Sequence, residues 1–198
     1  MIEPCWGLVQ PCHSYRMRLL YGLWSCSADA ESKHMVAENR KIDFPATCHP
    51  DTRVLYDYWL GKCGARRMPA RSDLDPMEMP KTLLPGVSLV DVVPDARRYV
   101  YRLVGTGDVE VRGQDPTGRS VMEGFFAPSA EDALSCYDRV VATRAPFLDP
   151  LHFTAPTGRH VTEETIFLPL SDDGLNVNMI LVFSYAREVT RSGSAIEL

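Results

Sequence analysis

The stretch HVTEETIFLPLSDDGLNVNMILVFSY, residues 160–185, decides the fold of this chain. β-branched and apolar residues flank Ser171-Asp172-Asp173-Gly174, a run of residues that favours turns. The pattern predicts two antiparallel strands, His160–Leu170 and Val177–Tyr185, joined as a hairpin. Because side chains alternate along a strand, the second strand places these apolar residues on one face: Val177, Met179, Leu181, Phe183 and Tyr185.

The same reading upstream predicts three more strands and the helices around them. A long helix begins at the N-cap Ser129 and ends near Thr143, before Pro146. The other predicted elements are the helix Asp51–Leu60, a short helix after Asp75-Pro76, and the strands Val87–Val93, Arg98–Val104 and Phe147–Thr154. Strands that cluster around a helical insert indicate an α+β domain with an antiparallel sheet, one face of which the insert covers.

Domain organisation follows from where these local patterns begin and end. Residues 1–47 show no sustained period and are predicted to be a weakly ordered tail, with Met35 as the natural start. Residues 50–186 form the predicted domain, and residues 187–198 a polar C-terminal tail.

Several motifs, in the right order, resemble a PAS-like family of alphaproteobacteria. They are Leu55–Trp59, Arg66–Arg71, Asp73–Pro76, Tyr101–Thr106, Asp115–Arg119 and Leu168–Gly174, and the resemblance covers Thr52 to Ala186. It implies a PAS fold: a five-stranded antiparallel sheet in the order 2-1-5-4-3, helices on one face and an N-terminal flanking helix. It also implies a sensory or interaction role, without a defined ligand.

Composition argues against several classes of protein. The formal net charge of -5 disfavours a nucleic-acid-binding surface. No apolar run approaches the ~20 residues that span a bilayer, so no membrane segment is expected and the expected location is cytoplasmic. The six cysteines include no CxxC pair, so neither a zinc site nor any other metal site is predicted.

The identity of any cofactor is left open, although two are disfavoured. A flavin photoreceptor of this class needs an Asn-Cys-Arg motif, and haem generally needs a histidine on the long helix; the sequence has neither. Gly105-Thr106-Gly107 is followed by Glu110 where a dinucleotide loop would carry its third glycine. Cys136, His152 and Glu163 have the side chains of a catalytic set, but nothing in their spacing indicates that they meet. No catalytic residue is therefore assigned.

Two groups of residues are therefore candidate sites of a non-enzymatic regulatory module. The pocket for a small apolar or aromatic ligand comprises Tyr101, Leu103, Tyr137, Val140, Val141, Phe167, Met179 and Leu181, unless these residues simply form a filled core. The contact with a signalling partner, or with a second copy in a homodimer, comprises Leu55, Tyr58 and Trp59, unless that helix packs on its own sheet. The alternative function is a small-molecule-modifying enzyme, which requires polar groups that converge in the cavity.

Overall fold

The computed structural model describes residues 48–154, 160–189 and 195–197. The predicted tail of residues 1–47, including the proposed start at Met35, lies outside the described residues. In the part described, the helices are α1 (Pro50–Cys63), α2 (Thr106–Arg112), α3 (Val121–Gly124) and α4 (Ala130–Thr143). The strands are β1 (Val87–Val92), β2 (Tyr99–Leu103), β3 (Phe147–Thr154), β4 (His160–Leu170), β5 (Met179–Val189) and β6 (Ala195–Glu197).

The strands form an antiparallel sheet in the order β2-β1-β5-β4-β3, which confirms the predicted order. The short strand β6 pairs with the far end of β5, an addition that the sequence did not predict. The hairpin between β4 and β5 has its predicted turn, in which the Asp173 carboxylate accepts the backbone N–H groups of Leu175 and Asn176 at 2.8 and 2.7 Å. Such side-chain acceptance of nearby backbone N–H groups is what makes aspartate a turn former.

Both faces of the sheet are covered. The helical insert α2–α4 covers the face that carries Tyr101, Phe167 and Val182, which we call the inner face. On the outer face, α1 contacts β4 and β5. Three 3₁₀ helices, Arg71–Asp73, Pro76–Glu78 and Leu84–Gly86, lie between α1 and β1 in the chain. The predicted flanking helix is thus a second layer on the sheet of its own domain.

α1 is longer than predicted at both ends. His49 is its N-cap, with Nδ1 accepting the Asp51 N–H at 3.2 Å, and Pro50 follows at the first helical position, where a proline costs no hydrogen bond. The helix continues past Leu60, its predicted last residue, and stops before Gly64, which has a positive φ of 54°. Ser129 caps α4 as predicted: its hydroxyl accepts the Asp132 N–H at 3.0 Å.

The apolar side of α1 belongs to the core, which corrects the predicted partner interface. Leu55 and Trp59 are buried, and the Trp59 indole Nε1 donates to the Pro169 carbonyl of β4 at 3.0 Å. Tyr58 is half-buried and its hydroxyl is bonded to the backbone of Asp75. Spacing at i, i+3 and i+4 showed correctly that the three share one side of the helix, but that side faces the sheet.

Gly105 explains part of the glycine-rich stretch that follows β2. A Cβ atom at this position would lie 2.1 Å from the Pro85 carbonyl oxygen. Only glycine permits so close an approach of two backbones. Gly105 is also the N-cap of α2, so its role is to bring this helix against the 3₁₀ helix Leu84–Gly86.

Candidate functional site

A cavity of about 50 Å³ lies between the inner face of the sheet and the helical insert. Its lining is mixed: aromatic rings, carboxylates, hydroxyls and one guanidinium face the same space. Its lining residues include Tyr101, Arg112, Phe126, Cys136, Tyr137, Asp149, Glu163, Thr165, Phe167 and Ser184. A buried space with several polar groups is a site for ordered water or for a small polar molecule.

The cation of the cavity is held by an ion pair within α2. Arg112 Nε lies 2.9 Å from Asp108 Oδ1, and the two side chains are only 9% and 5% exposed. Arg112 Nη1 also donates to the Gly124 carbonyl at 3.0 Å, and Ser88 donates to the second oxygen of Asp108. Burial is the largest influence on Arg112 and opposes its charge, but the Asp108 carboxylate together with the Tyr101 and Tyr137 side chains raises the pKa of the guanidinium above its ordinary value. The positive charge of Arg112 is therefore matched by its helix neighbour before any ligand arrives.

Aromatic side chains form much of the wall. The Tyr137 ring meets the Phe167 ring edge-on at a centroid distance of 5.1 Å. The Arg112 guanidinium lies over the rings of Tyr101 and Phe126, at 5.3 and 5.4 Å from their centroids. Burial raises the pKa of the Tyr101 and Tyr137 phenols, so both remain neutral hydrogen-bonding groups at physiological pH.

Glu163 on β4 is the unusual residue of the cavity. Its side chain is only 4% exposed. Oε1 accepts the Thr165 hydroxyl at 2.9 Å, whereas Oε2 is buried and has no hydrogen-bond partner within the described residues. Burial first, and then the nearby charge of Asp108, raise the pKa of this carboxyl from 4.5 to about 7, although the nearby hydroxyls of Ser184 and Thr165 oppose the shift. Glu163 thus changes its charge within the physiological pH range.

Cys136 also faces the cavity, as a thiol. Its Sγ donates to Asp149 Oδ2 at 3.3 Å. Burial and the adjacent Asp149 charge raise the pKa of the thiol to about 12. Because the thiolate is the nucleophilic form of cysteine, this surrounding suppresses its reactivity.

The structure brings together only part of the predicted pocket. Tyr101, Tyr137 and Phe167 line the cavity, whereas Val140 is buried and Val141 half-buried in the core outside its lining. Leu103, Met179 and Leu181 are not in the cavity: Leu103 and Leu181 line a separate groove on the outer face, and Met179 shares the Leu181 side of β5. The predicted apolar pocket is therefore corrected to a smaller and more polar cavity.

A β-bulge accounts for the position of Leu103. Pairing of β1 with β2 shifts between Leu89 and Val90, so that Leu103 lies opposite Leu89 and Tyr101 opposite Val90. The extra residue places Tyr101 and Leu103 on different faces, although plain alternation would place them on one. Sequence reasoning also missed Arg112, Asp108, Thr165 and Ser184; the one signal was the i, i+4 spacing of Asp108 and Arg112.

The cavity does not fit a large cofactor. Sites for drug-sized molecules and cofactors have volumes of roughly 300–1,000 Å³. The 50 Å³ found here leaves no space for a flavin or a haem. Within the described residues there is also no cluster of three histidine, cysteine or carboxylate side chains able to hold a metal ion. In the same part of the chain, none of the helices is long and apolar enough to cross a membrane.

Several solved structures show a weak similarity to this chain. The LOV domain of the blue-light activated histidine kinase of Erythrobacter litoralis EL346 has 10% identity and a TM-score of 0.40, over 50% of this chain and 93% of that one. VqmA of Vibrio cholerae has 16% identity and a TM-score of 0.42, over 58% and 56%. The fungal photoreceptor Vivid, in its light-state dimer, has 10% identity and a TM-score of 0.42, over 73% and 98%. The search of curated proteins returned no match.

Similarity this low says nothing about a ligand or an output. The family assignment rests instead on a match along most of the domain. A family model described as PAS domain matches residues 47–182, which include every strand from β1 to β4, all four described α-helices and the first part of β5. The chain belongs to the PAS domain family.

Proposed function

We propose that this chain is a non-enzymatic sensory domain in bacterial signal transduction, of alphaproteobacterial type and cytoplasmic location. A small molecule bound in the inner-face cavity changes the packing of α1 on the outer face, and another signalling protein reads that change. The observation that carries the proposal is the position of the strand β4 between the two. Glu163 faces the cavity, while the next residue, Glu164, accepts the His49 backbone N–H at the start of α1 at 2.8 Å.

The proposed change in the packing of α1 is supported by the contacts that attach this helix to the sheet. Its start is held by Glu164 and by stacking of the His49 ring on Tyr185 of β5 at a centroid distance of 3.5 Å. Its middle is held by the hydrogen bond from Trp59 to Pro169 of β4. A helix fixed to two interior strands of a sheet follows small displacements of those strands. Such coupling requires that the ligand favour one of two packing arrangements.

The partner contact is proposed for the outward side of α1, in place of the buried stripe. Val54 is 43% exposed there. It lies beside the pair in which Arg53 Nε donates to both oxygens of Asp57 at 3.1 and 3.2 Å. An apolar residue next to exposed charges suits a protein contact with a polar rim. The partner at this side of α1 can also be a second copy of the chain. Measurement of the molecular mass in solution tests for such a homodimer.

The test is a substitution whose larger side chain fills part of the cavity in place of a ligand. Ala133→Leu adds three carbons to a residue of α4 that lines the cavity, and Ala142→Leu adds the same volume at an exposed site of that helix. Amide hydrogen exchange of α1 is measured in both variants and in the wild type. We expect Ala133→Leu to change exchange in α1, and Ala142→Leu to leave it as in the wild type. Unchanged exchange of α1 in a folded Ala133→Leu protein contradicts the proposal.

One observation favours the enzymatic alternative: polar groups do converge in the cavity, among them Cys136 and Glu163. The side chain of His152, the third residue of that set, lies outside the described residues. A carboxyl with a pKa of about 7 suits proton transfer, but the protonated Cys136 thiol is a poor nucleophile. The decisive test is alkylation by iodoacetamide at pH 8, read for each cysteine by mass spectrometry. Rapid labelling of Cys136 would support the enzyme, and protection would support the sensor.

A further inference from the structure

We propose that the ligand of the cavity is a small organic cation, a short primary ammonium ion whose N–H groups donate to Glu163. This inference rests on the proposed sensory function and adds the chemical class of its input. Four features of the cavity support it: an acceptor without a donor, an excess of negative charge, aromatic walls and a small volume.

The first feature is the free oxygen of Glu163. Buried polar atoms almost always have a hydrogen-bond partner, because burial without one costs free energy. Oε2 of Glu163 is buried within the described residues without such a partner, while Oε1 is bonded to Thr165. An ionised carboxylate only accepts hydrogen bonds, so the missing partner is a donor. A positively charged donor forms the strongest bond of this type.

The second feature is charge. Arg112 is the only cation among the lining residues, and its ion pair with Asp108 already balances it. Glu163, Asp149 and Asp132 remain as carboxyl groups around the same space, with no second cation among the lining residues. The cavity therefore attracts a positive ligand and repels an anion such as a carboxylate.

Aromatic walls are the third feature. The faces of aromatic rings attract cations electrostatically. Tyr101 and Phe126 already act in this way toward Arg112, and Tyr137 and Phe167 bring two further rings to the lining. Carboxylate and aromatic groups together give both a direction for the ammonium N–H groups and a surface for its alkyl chain.

The fourth feature, volume, limits the length of the chain. A single water needs roughly 10–15 Å³ of such space. The 50 Å³ available fits a cation of only a few heavy atoms, such as ethylammonium.

Binding should depend on pH through the charge of Glu163. The titratable and charged groups around it are Asp108 and Arg112 of α2, Asp132, Cys136 and Tyr137 of α4, Tyr101 of β2 and Asp149 of β3. The Arg112 and Tyr101 pKa values are raised and that of Cys136 is about 12, so these groups keep one charge state between pH 6 and 8. With a Glu163 pKa of about 7, the ionised fraction rises about tenfold over that range, and the affinity for a cation rises with it.

The test is a titration of the isotope-labelled full chain, followed by NMR, with ethylammonium chloride as the probe. Ethanol is the neutral control of similar size, acetate is the anionic control, and sodium chloride keeps the ionic strength constant. Glu163→Gln removes the charge, and Glu110→Gln removes the charge of an exposed glutamate on α2. We expect saturable shifts at Glu163, Thr165 and Ser184 with ethylammonium alone, about tenfold tighter at pH 8 than at pH 6. Glu163→Gln should weaken binding at least tenfold at pH 8, and Glu110→Gln should leave it unchanged.

Two results would overturn the inference. Equal binding of ethylammonium and ethanol by the wild type is one, and it does not depend on whether Glu163→Gln folds. The other is equal affinity of wild type and Glu163→Gln for the probe. If acetate or ethanol occupies the cavity instead and alters exchange in α1, the cation is excluded while the sensory function stands. If no probe binds and Ala133→Leu leaves α1 unchanged, both proposals fail.

Discussion

Glu163 and Glu164 are neighbours on β4 and serve opposite faces of the sheet. The Glu163 carboxyl lines the inner-face cavity, and Glu164 Oε1 accepts the backbone N–H of His49 at the start of α1. Alternation along a strand makes this arrangement unavoidable once β4 is central and both faces are covered. Any movement of the β4 backbone that improves contacts to a ligand at Glu163 therefore also moves the acceptor that holds α1.

Glu163→Gln should change how stability depends on pH. The folded-state pKa of about 7 lies above the ordinary 4.5, so the folded protein holds this proton over a range in which the unfolded chain has lost it. The free energy of unfolding of the wild type thus falls as pH rises from 4.5 to 7. Well above pH 7 the carboxyl is ionised in both states, so it adds no further dependence on pH. Relative to wild type, Glu163→Gln should gain about 2 kcal/mol between pH 5 and pH 8. Urea unfolding at several pH values measures the difference.

The matched control for this experiment is Glu110→Gln, which removes an exposed carboxyl of α2. Its difference from wild type should stay within ~0.5 kcal/mol across the pH range. A difference between Glu163→Gln and wild type that does not vary with pH would mean that Glu163 is not a buried acid with a raised pKa.

Removal of Arg112 alone from the ion pair of α2 should lower the free energy of unfolding more than removal of both partners. Arg112→Met leaves the Asp108 carboxylate buried without its partner, a change that typically costs about 3–5 kcal/mol. Adding Asp108→Asn should recover much of this loss, because the stranded charge is then gone. A double-mutant cycle from urea unfolding gives the coupling energy. Strictly additive effects of the two substitutions would show that the pair does not act as a unit.

The strands, turns and helix caps were predictable from sequence because they depend on local patterns that the structure keeps, whereas the strand order was implied by the resemblance to the PAS-like family. The turn at Asp173 and the N-cap at Ser129 are satisfied by the hydrogen bonds that their residue types favour. Arg102, which alternation directs away from Tyr101, pairs with Asp91 at 2.9 Å. Each of these features involves residues that are close in the chain or lie on adjacent strands.

The membership of the cavity was not predictable, since it depends on contacts between layers. Alternation shows that Met179 and Leu181 share a face of β5, but both faces of this sheet are buried, so hydrophobicity does not distinguish them. The bulge beside Val90 leaves no mark in the sequence that assigns Tyr101 and Leu103 to different faces. Likewise, the sequence does not show which of the adjacent residues Glu163 and Glu164 is buried, because that depends on how the helices pack on the two faces of the sheet.

Trp59→Ala should lower stability and leave surface contacts intact. Removal of a buried indole from a core typically costs about 3–5 kcal/mol, and it also leaves the Pro169 carbonyl without its donor. Trp59→Phe keeps an aromatic ring and loses the N–H, so it should cost less than Trp59→Ala. Val54→Ser, on the exposed side of the same helix, should change the free energy of unfolding by no more than ~0.5 kcal/mol. A Trp59→Ala protein as stable as wild type, with altered partner binding, would restore the helix stripe as an interface.

Glu164→Ala should loosen the start of α1 without opening the core. The substitution removes the acceptor of the His49 backbone N–H, and the Arg53 N–H in turn depends on the His49 carbonyl at 3.0 Å. Loss of about 1 kcal/mol at this site corresponds to roughly fivefold faster amide exchange in the first turn of α1. Exchange in α4 should match wild type, and Glu131→Ala, an exposed site on α4, should leave α1 unchanged. If β4 carries the signal through Glu164, Ala133→Leu should not change amide exchange in α1 when Glu164→Ala is also present. If the double variant responds as fully as Ala133→Leu alone, the coupling runs instead through Trp59 and Pro169.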